Sequence, residues 1–468
     1  MLNKITQKHN DSGVLPMEGS GLNGGLRILF GLLIIFSTTA VLPVFNFAGM
    51  PSFARDNGFA LTAIGLVVLL LLHHSDFRFS KLVSAFIPFA VVGAVSSIAM
   101  AFYLSGIVEP IAGETPVSVV VTGLMWLAFD VAIITFVSYC YGHSSVEWLD
   151  CVMDVFLVLV LVLCGIQALA MMGVPGFAAL FDLTNIGGWL SVFREVGFER
   201  LVGVGSEPAA MSKVLGFLCL PYCYCRIVNG GGVRYAFAFV LLLYFAFLTK
   251  ATTVYITVAF VLLGILVLRM RKRLSKPIVF ALFSICAVIS IAILIALVSG
   301  GSLIPSDIQQ TFEAVFGKLS DAGNQSTAYR TSTVINDIEI FKSFPIFGVG
   351  DGNQGFFYAE NLPAWVLGSA SLEANTALSG SAGVLNGGAF LPSVASGYGI
   401  VGCVLFCIWI AACIRMAING KKRLGHYYEM FVLAMFACIP ICGMAIGFQG
   451  APVAAFLVFC LPALGAEL

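Results

Sequence analysis

The chain has 468 residues, of which 59% are hydrophobic and 10% charged, and a mean hydropathy of +1.00. Soluble domains carry about 25% charged residues, so a water-soluble fold of this composition would expose an apolar surface and precipitate. That class is excluded. Lys plus Arg equals Asp plus Glu, 24 against 24, which leaves no polyanion-binding signature and no expectation of a nucleic-acid partner.

Residues 1–25 are polar and carry Asp11 and Glu18; they read as a tail, without the apolar run and small-residue site of a cleavable leader. Twelve apolar segments follow, at about 26–48, 58–72, 82–108, 117–142, 151–173, 207–227, 234–249, 251–268, 277–298, 394–414, 428–446 and 451–466. A spanning helix takes about 20 such residues, and an open sheet cannot satisfy its backbone in lipid. The expected fold is therefore all-α, a polytopic transmembrane helical bundle of about 12 spans. It divides into the tail 1–25, a membrane domain 26–298 with a loop at 174–206, a large loop 299–393 and C-terminal spans 394–468.

Cationic residues predict the orientation. A cytoplasmic N-terminus puts 16 of the 24 Lys and Arg inside, clustered at 269–276 and 415–423. Eight then face outside: Arg55, Arg194, Arg200, Lys213, Lys250, Lys318, Arg330 and Lys342. Both termini are expected to be cytoplasmic and both long loops external. On that topology the outer face carries 15 acidic residues against its 8 cations, so Arg194, Arg200 and Arg330 stand out. Within the large loop, Ile308, Phe312, Val315 and Leu319 recur at helical spacing, as do Val334, Ile338 and Phe341. These predict amphipathic helices lying on the membrane or capping a cavity. The 13 cysteines sit almost wholly in apolar spans or at their ends, which argues against a disulfide framework. Asp130 lies deep in a predicted span, where an ionisable group either serves function or bonds neighbouring helices.

Arg200-Leu-Val-Gly203-Val-Gly-Ser-Glu207-Pro208-Ala209 opens a middle span. Downstream come Arg330 and then Phe344-Pro345-Ile346-Phe347-Gly348-Val349-Gly350-Asp351-Gly352-Asn353, followed by Gly397-Tyr398-Gly399-Ile400-Val401-Gly402. In this order the segments resemble three motifs of Wzy-type O-antigen polymerases, in the O-antigen polymerase/ligase superfamily of bacterial membrane proteins. Those motifs are Arg-x-x-Gly-x-x-x-Glu-Pro-Ser, an outer-loop Arg with Pro-x-x-Gly-x-Gly-x-Asn, and a Gly-Ile-x-Gly turn. Ala209 stands where the family has Ser. The resemblance implies a GT-C-like bundle in the bacterial inner membrane with its site at the periplasmic face. The implied activity is transfer of a growing glycan from undecaprenyl pyrophosphate to the non-reducing end of a new lipid-linked repeat unit. Implied partners are the two undecaprenyl-pyrophosphate-linked oligosaccharides, donor and acceptor, the membrane lipid, and a chain-length regulator.

Within that chemistry Arg200, and next Arg194, suit the charge growing on a departing pyrophosphate, because arginine stays protonated and grips phosphate oxygens bidentately. Both also fit an ion network with Glu195 and Glu199. Pro208 suits a first helical position and Ser206 or Glu207 its cap, which would point a positive helix end outward. Lys213, one to two turns deeper, and Lys250, at the turn between two spans, are further substrate-binding candidates, and Arg330 is a candidate for the second pyrophosphate. Glu207 and Asp351 are the candidate bases for the acceptor hydroxyl; the first fits a helix cap equally, the second a turn. Trp189, Trp365 and Tyr358 suit sugar stacking or a membrane interface. No Asp-x-Asp or clustered-ligand pattern calls for a metal, and the glycine-rich segment lacks the Gly-Lys-Ser/Thr ending of a P-loop, so no cofactor is expected. In the ligases of the superfamily a functional histidine precedes the span after the large loop; here that stretch reads Leu385-Asn386-Gly387-Gly388. A ligase joining glycan to a lipid A core, and a lipid-linked oligosaccharide flippase, are the competing readings.

Overall fold

The computed structural model describes residues 22–37, 57–73, 79–110, 115–184, 200–205, 208–270, 325–357, 389–444 and 453–465. Every regular element among them is helical. Six helices are long and apolar enough to cross a membrane: Lys81–Leu104, Pro116–Gly142, Val146–Met171, Pro208–Val228, Thr252–Met270 and Phe390–Asn419. Five shorter apolar helices join them, at Gly24–Phe36, Ala60–Leu72, Val233–Leu248, Tyr427–Gly443 and Val453–Leu464. Together these meet eleven of the twelve expected segments; the remaining one, 277–298, lies outside the described residues.

Short polar residues set where the apolar runs begin. Ser80 Oγ accepts from Val83 N, and Ser145 Oγ from Trp148 N. Thr115 and Ser118 cap each other reciprocally ahead of Pro116, whose missing N–H costs nothing at a first helical position. The connectors at 229–232 and 249–251 are short, and the helices they join pack on each other.

Exposure follows the helical period with the apolar side outward. Val91, Val95, Ile98 and Phe102 form one such stripe, and Ile400, Val404 and Ile408 another. A soluble protein rarely exposes contiguous patches of this kind; acyl chains solvate them. Inside the bundle Trp409 is fully buried among Phe86, Phe406, Phe456 and Phe459. The Lys81–Leu104 helix packs on both Pro116–Gly142 and Phe390–Asn419, and Thr252–Met270 packs along Tyr427–Met444.

Two irregularities position the site. The Phe390–Asn419 helix breaks at Gly399 (φ 61°, ψ −164°). The Pro208–Val228 run opens as a 3-10 turn, Pro208–Ala210, and widens to a π-helix over Val214–Cys219 before continuing as an α-helix. Pro221 explains the widening: it cannot donate to the carbonyl four residues earlier, and its ring crowds that turn.

Candidate functional site

The segment 200–205 is pinned by one buried side chain. Gln167 Oε1 accepts from Val202 N at 2.9 Å and Gly203 N at 2.7 Å, while its amide donates to Arg200 O at 3.4 Å. That anchoring aims the Arg200 side chain at the end of the Val233–Leu248 helix. Its Nε donates to Thr249 O at 3.1 Å and a terminal nitrogen to Lys250 O at 2.9 Å. Two cations expected from separate stretches of sequence therefore meet at one turn. Lys250 is exposed, and its φ of 47° is the one positive value outside glycine among the described residues. Lys213 is half-buried on the Pro208–Val228 helix. Gly216, one turn further on, packs against Thr257, so Lys213 lies near the level of Thr253, close to the same end of the bundle. Arg194, Trp189, Glu207, Trp365 and Tyr358 lie outside the described residues; Arg330 sits on the Gln325–Ser343 helix.

The second and third motifs interlock. Val349 N donates to Ser396 O (2.9 Å) and Gly350 N to Gly397 O (2.7 Å), while Ile400 N donates to Pro345 O (2.8 Å) and Val401 N to Ile346 O (3.2 Å). The break at Gly399 frees the carbonyls and amides that make this exchange possible. The paired segment presses into the bundle: Asp351 N donates to Ser97 Oγ at 2.7 Å, and Asn353 Nδ2 to Ser97 O at 3.2 Å and Val349 O at 2.9 Å. The Asp351 backbone also abuts Gly123. Ser97 and Gly123 each lie seven residues inside their helices, about 10 Å from the helix ends. Asp351 is thereby buried, within electrostatic reach of Asp130 and Tyr398. The two carboxyls named separately from the sequence are thus close enough to interact electrostatically.

One carboxyl in this region was not singled out from the sequence. Asp337 is buried on the Gln325–Ser343 helix, accepting from Ser396 Oγ at 2.6 Å and Ser393 Oγ at 3.3 Å. Of the expected stripe Val334, Ile338 and Phe341, only Val334 is buried. Thr333, Ile335, Asn336, Asp337 and Ile340 are buried with it, while Ile338 and Phe341 are half-buried. The helix docks on the broken first half of Phe390–Asn419 through polar contacts, so its buried face is partly polar; Thr333, Asn336, Asp337 and Ile340 at helical spacing were the available signal.

Burial pushes the Asp337 carboxyl up to about 7, although both serine hydroxyls favour its charged form. A carboxyl that holds its proton more tightly when folded stabilises the fold fully below about pH 4, and that contribution disappears as pH rises through about 7. Asp337→Asn should therefore flatten the pH dependence of thermal unfolding between about pH 4 and 7. A variant with the wild-type slope would show that this carboxyl does not report on docking of the helix.

A charged network closes the opposite end. Asp150 pairs with Arg226, accepts from Tyr427 OH at 2.9 Å, and bonds His426 Nε2 at 2.8 Å. Tyr222 OH donates to Asp150 O and to Asp154 Oδ1, which Tyr235 OH also reaches. Asp150 and Gln167 lie on the same helix seventeen residues apart, about 25 Å along its axis. His426 is thus far from Arg200. So is His143, which closes the Pro116–Gly142 helix just before Val146. Among the described residues no three His, Cys, Asp or Glu side chains are grouped to hold a metal ion.

The fold and these sites define a polytopic helical membrane protein. A family model described as O-Antigen ligase matches residues 237–376, consistent with a member of the Wzy-type O-antigen polymerase/ligase superfamily. Proteins of that family are bacterial, membrane-bound glycosyltransferases or ligases. The matched stretch holds Lys250, Arg330, Asp337 and Asp351; Arg200 lies outside it but is hydrogen-bonded to two of its residues, Thr249 and Lys250. No curated protein matches the chain.

Proposed function

We propose that the protein is a repeat-unit polysaccharide polymerase of the O-antigen type. It transfers a growing glycan from undecaprenyl pyrophosphate to the non-reducing end of a new lipid-linked unit at the periplasmic face of the inner membrane. The observation that carries this reading is the meeting of Arg200 and Lys250 at one turn, at the end of the bundle that also bears Lys213. Fixed cations there suit a leaving pyrophosphate, because they stabilise charge that grows as the glycosidic C–O bond breaks. The acceptor hydroxyl attacks the anomeric carbon, the pyrophosphate departs with the bonding electrons, and a carboxylate takes the hydroxyl proton. Asp351 and Glu207 are our candidates for that base, and Arg330 for holding the second pyrophosphate. The positive-inside distribution supports cytoplasmic termini, and the reaction as written needs no metal. A separate chain-length regulator is the expected protein partner.

The description of the matched family as O-antigen ligases supports a second reading, transfer to a lipid A core. Against it, His143 and His426 lie at the end away from Arg200, and the stretch before the Phe390–Asn419 helix has no histidine. Deleting the gene and separating the lipopolysaccharide on a gel decides between them. A polymerase defect leaves core bearing a single repeat unit; bare core would refute the polymerase reading and favour the ligase, or a flippase if lipid-linked units accumulate inside the cell.

A further inference from the structure

We infer that Arg200 is a positioning residue and that Lys250 presents the cationic charge to pyrophosphate; the inference rests on the function proposed above. The turn between the Val233–Leu248 and Thr252–Met270 helices leaves the last helical carbonyls in need of donors. Each finds one. Thr249 Oγ1 donates to Ala246 O at 2.7 Å, Tyr255 OH to Phe247 O at 3.0 Å, and Leu201 N to Leu248 O at 3.0 Å. The Arg200 guanidinium supplies Thr249 O and Lys250 O. Three consecutive carbonyls, 248 to 250, are therefore held by two consecutive residues, Arg200 and Leu201, which Gln167 fixes in turn.

What this holding achieves is visible at Lys250. A non-glycine residue in the left-handed region is strained and persists only where its surroundings impose it. Here the imposed turn leaves the lysine exposed, and among the described residues no carboxylate pairs with it. The geometry divides two cations into two tasks. Arginine's planar fork suits two neighbouring carbonyls, whereas a lysine on a flexible stem suits an anion as a compact point charge.

The test measures inorganic pyrophosphate binding to the purified full-length protein in detergent, by titration calorimetry, alongside thermal unfolding. Lys250→Gln should weaken binding about tenfold with little change in melting temperature, as expected when one charge-assisted contact is lost. Arg200→Lys keeps the charge but cannot bridge both carbonyls, so it should weaken binding by a similar factor. Combined, the two substitutions should cost little more than Lys250→Gln alone, because the second removes the support of a contact already lost. Additive losses, or wild-type binding by Arg200→Lys, would mean that Arg200 itself contacts phosphate, and would overturn the assignment. Should Arg200→Lys fail to fold, Lys250→Arg and Lys250→Gly decide. The first is expected to bind as the wild type does; the second relieves the strain yet should bind as weakly as Lys250→Gln. Equal binding by wild type and Lys250→Gly overturns the role of Lys250. A wild-type protein that does not bind pyrophosphate refutes the underlying function instead.

Discussion

Gly350→Ala is expected to destabilise the protein by about 3–4 kcal/mol, combining the left-handed backbone penalty with overpacking of a closed site. Gly350 has φ 77°, and a methyl group there would stand 2.1 Å from Ser97 Cα and 2.4 Å from Ser97 N. Both neighbours belong to the main chain of the Lys81–Leu104 helix, so no side chain can swing aside. The clash also pulls apart the pairing of Gly350 N with Gly397 O and of Asp351 N with Ser97 Oγ. Losing that much from a total of about 5–15 kcal/mol is severe. Thermal unfolding in detergent reads it, with Gly165→Ala as the control. Gly165 lies within the Val146–Met171 helix with open space around it, and alanine there should hold or slightly raise the melting temperature. Equal melting of Gly350→Ala and wild type would sink the interlock as described.

At the opposite end, Asp150→Ala should cost about 3 kcal/mol, because it strips the partner from a guanidinium and from a buried tyrosine hydroxyl. Arg226 and Asp150 retain 22% and 17% of their side-chain exposure, and Tyr427 is fully buried. The loss is mainly that of leaving Arg226 and Tyr427 unsatisfied. Replacing both charged partners, Asp150→Ala with Arg226→Leu, should therefore unfold at a higher temperature than Asp150→Ala alone. If the double variant is the weaker by the full sum of the single losses, the two residues act independently and the network is not a unit.

The spans were legible because lipid imposes a simple rule: a run of apolar residues long enough to cross it must be a helix. The candidate cations were legible by type, since charge is scarce in such a chain. Their contacts were not. Arg200 and Lys250 are fifty residues apart, and what joins them is a side chain bonded to main-chain carbonyls, which no residue pattern announces. The same holds for Pro345–Gly350 against Ser396–Val401, where the partners are backbone atoms freed by one glycine. Asp337 was missed for a different reason. An apolar period was sought in a helix whose inward face is half polar, because it docks on serines and not on a hydrocarbon core.

The widened turn at Val214–Cys219 carries one residue more than an α-helical turn. That residue adds rise without completing a revolution, so the two halves of the Pro208–Val228 helix are out of phase by about 100°. Below the turn, Tyr222 and Arg226 are tied to Asp150 and Asp154. Above it, Met211 and Ser212 are fully buried and Lys213 is half-buried. The widened turn thus sets which way Lys213 faces relative to the tethered lower half of its helix.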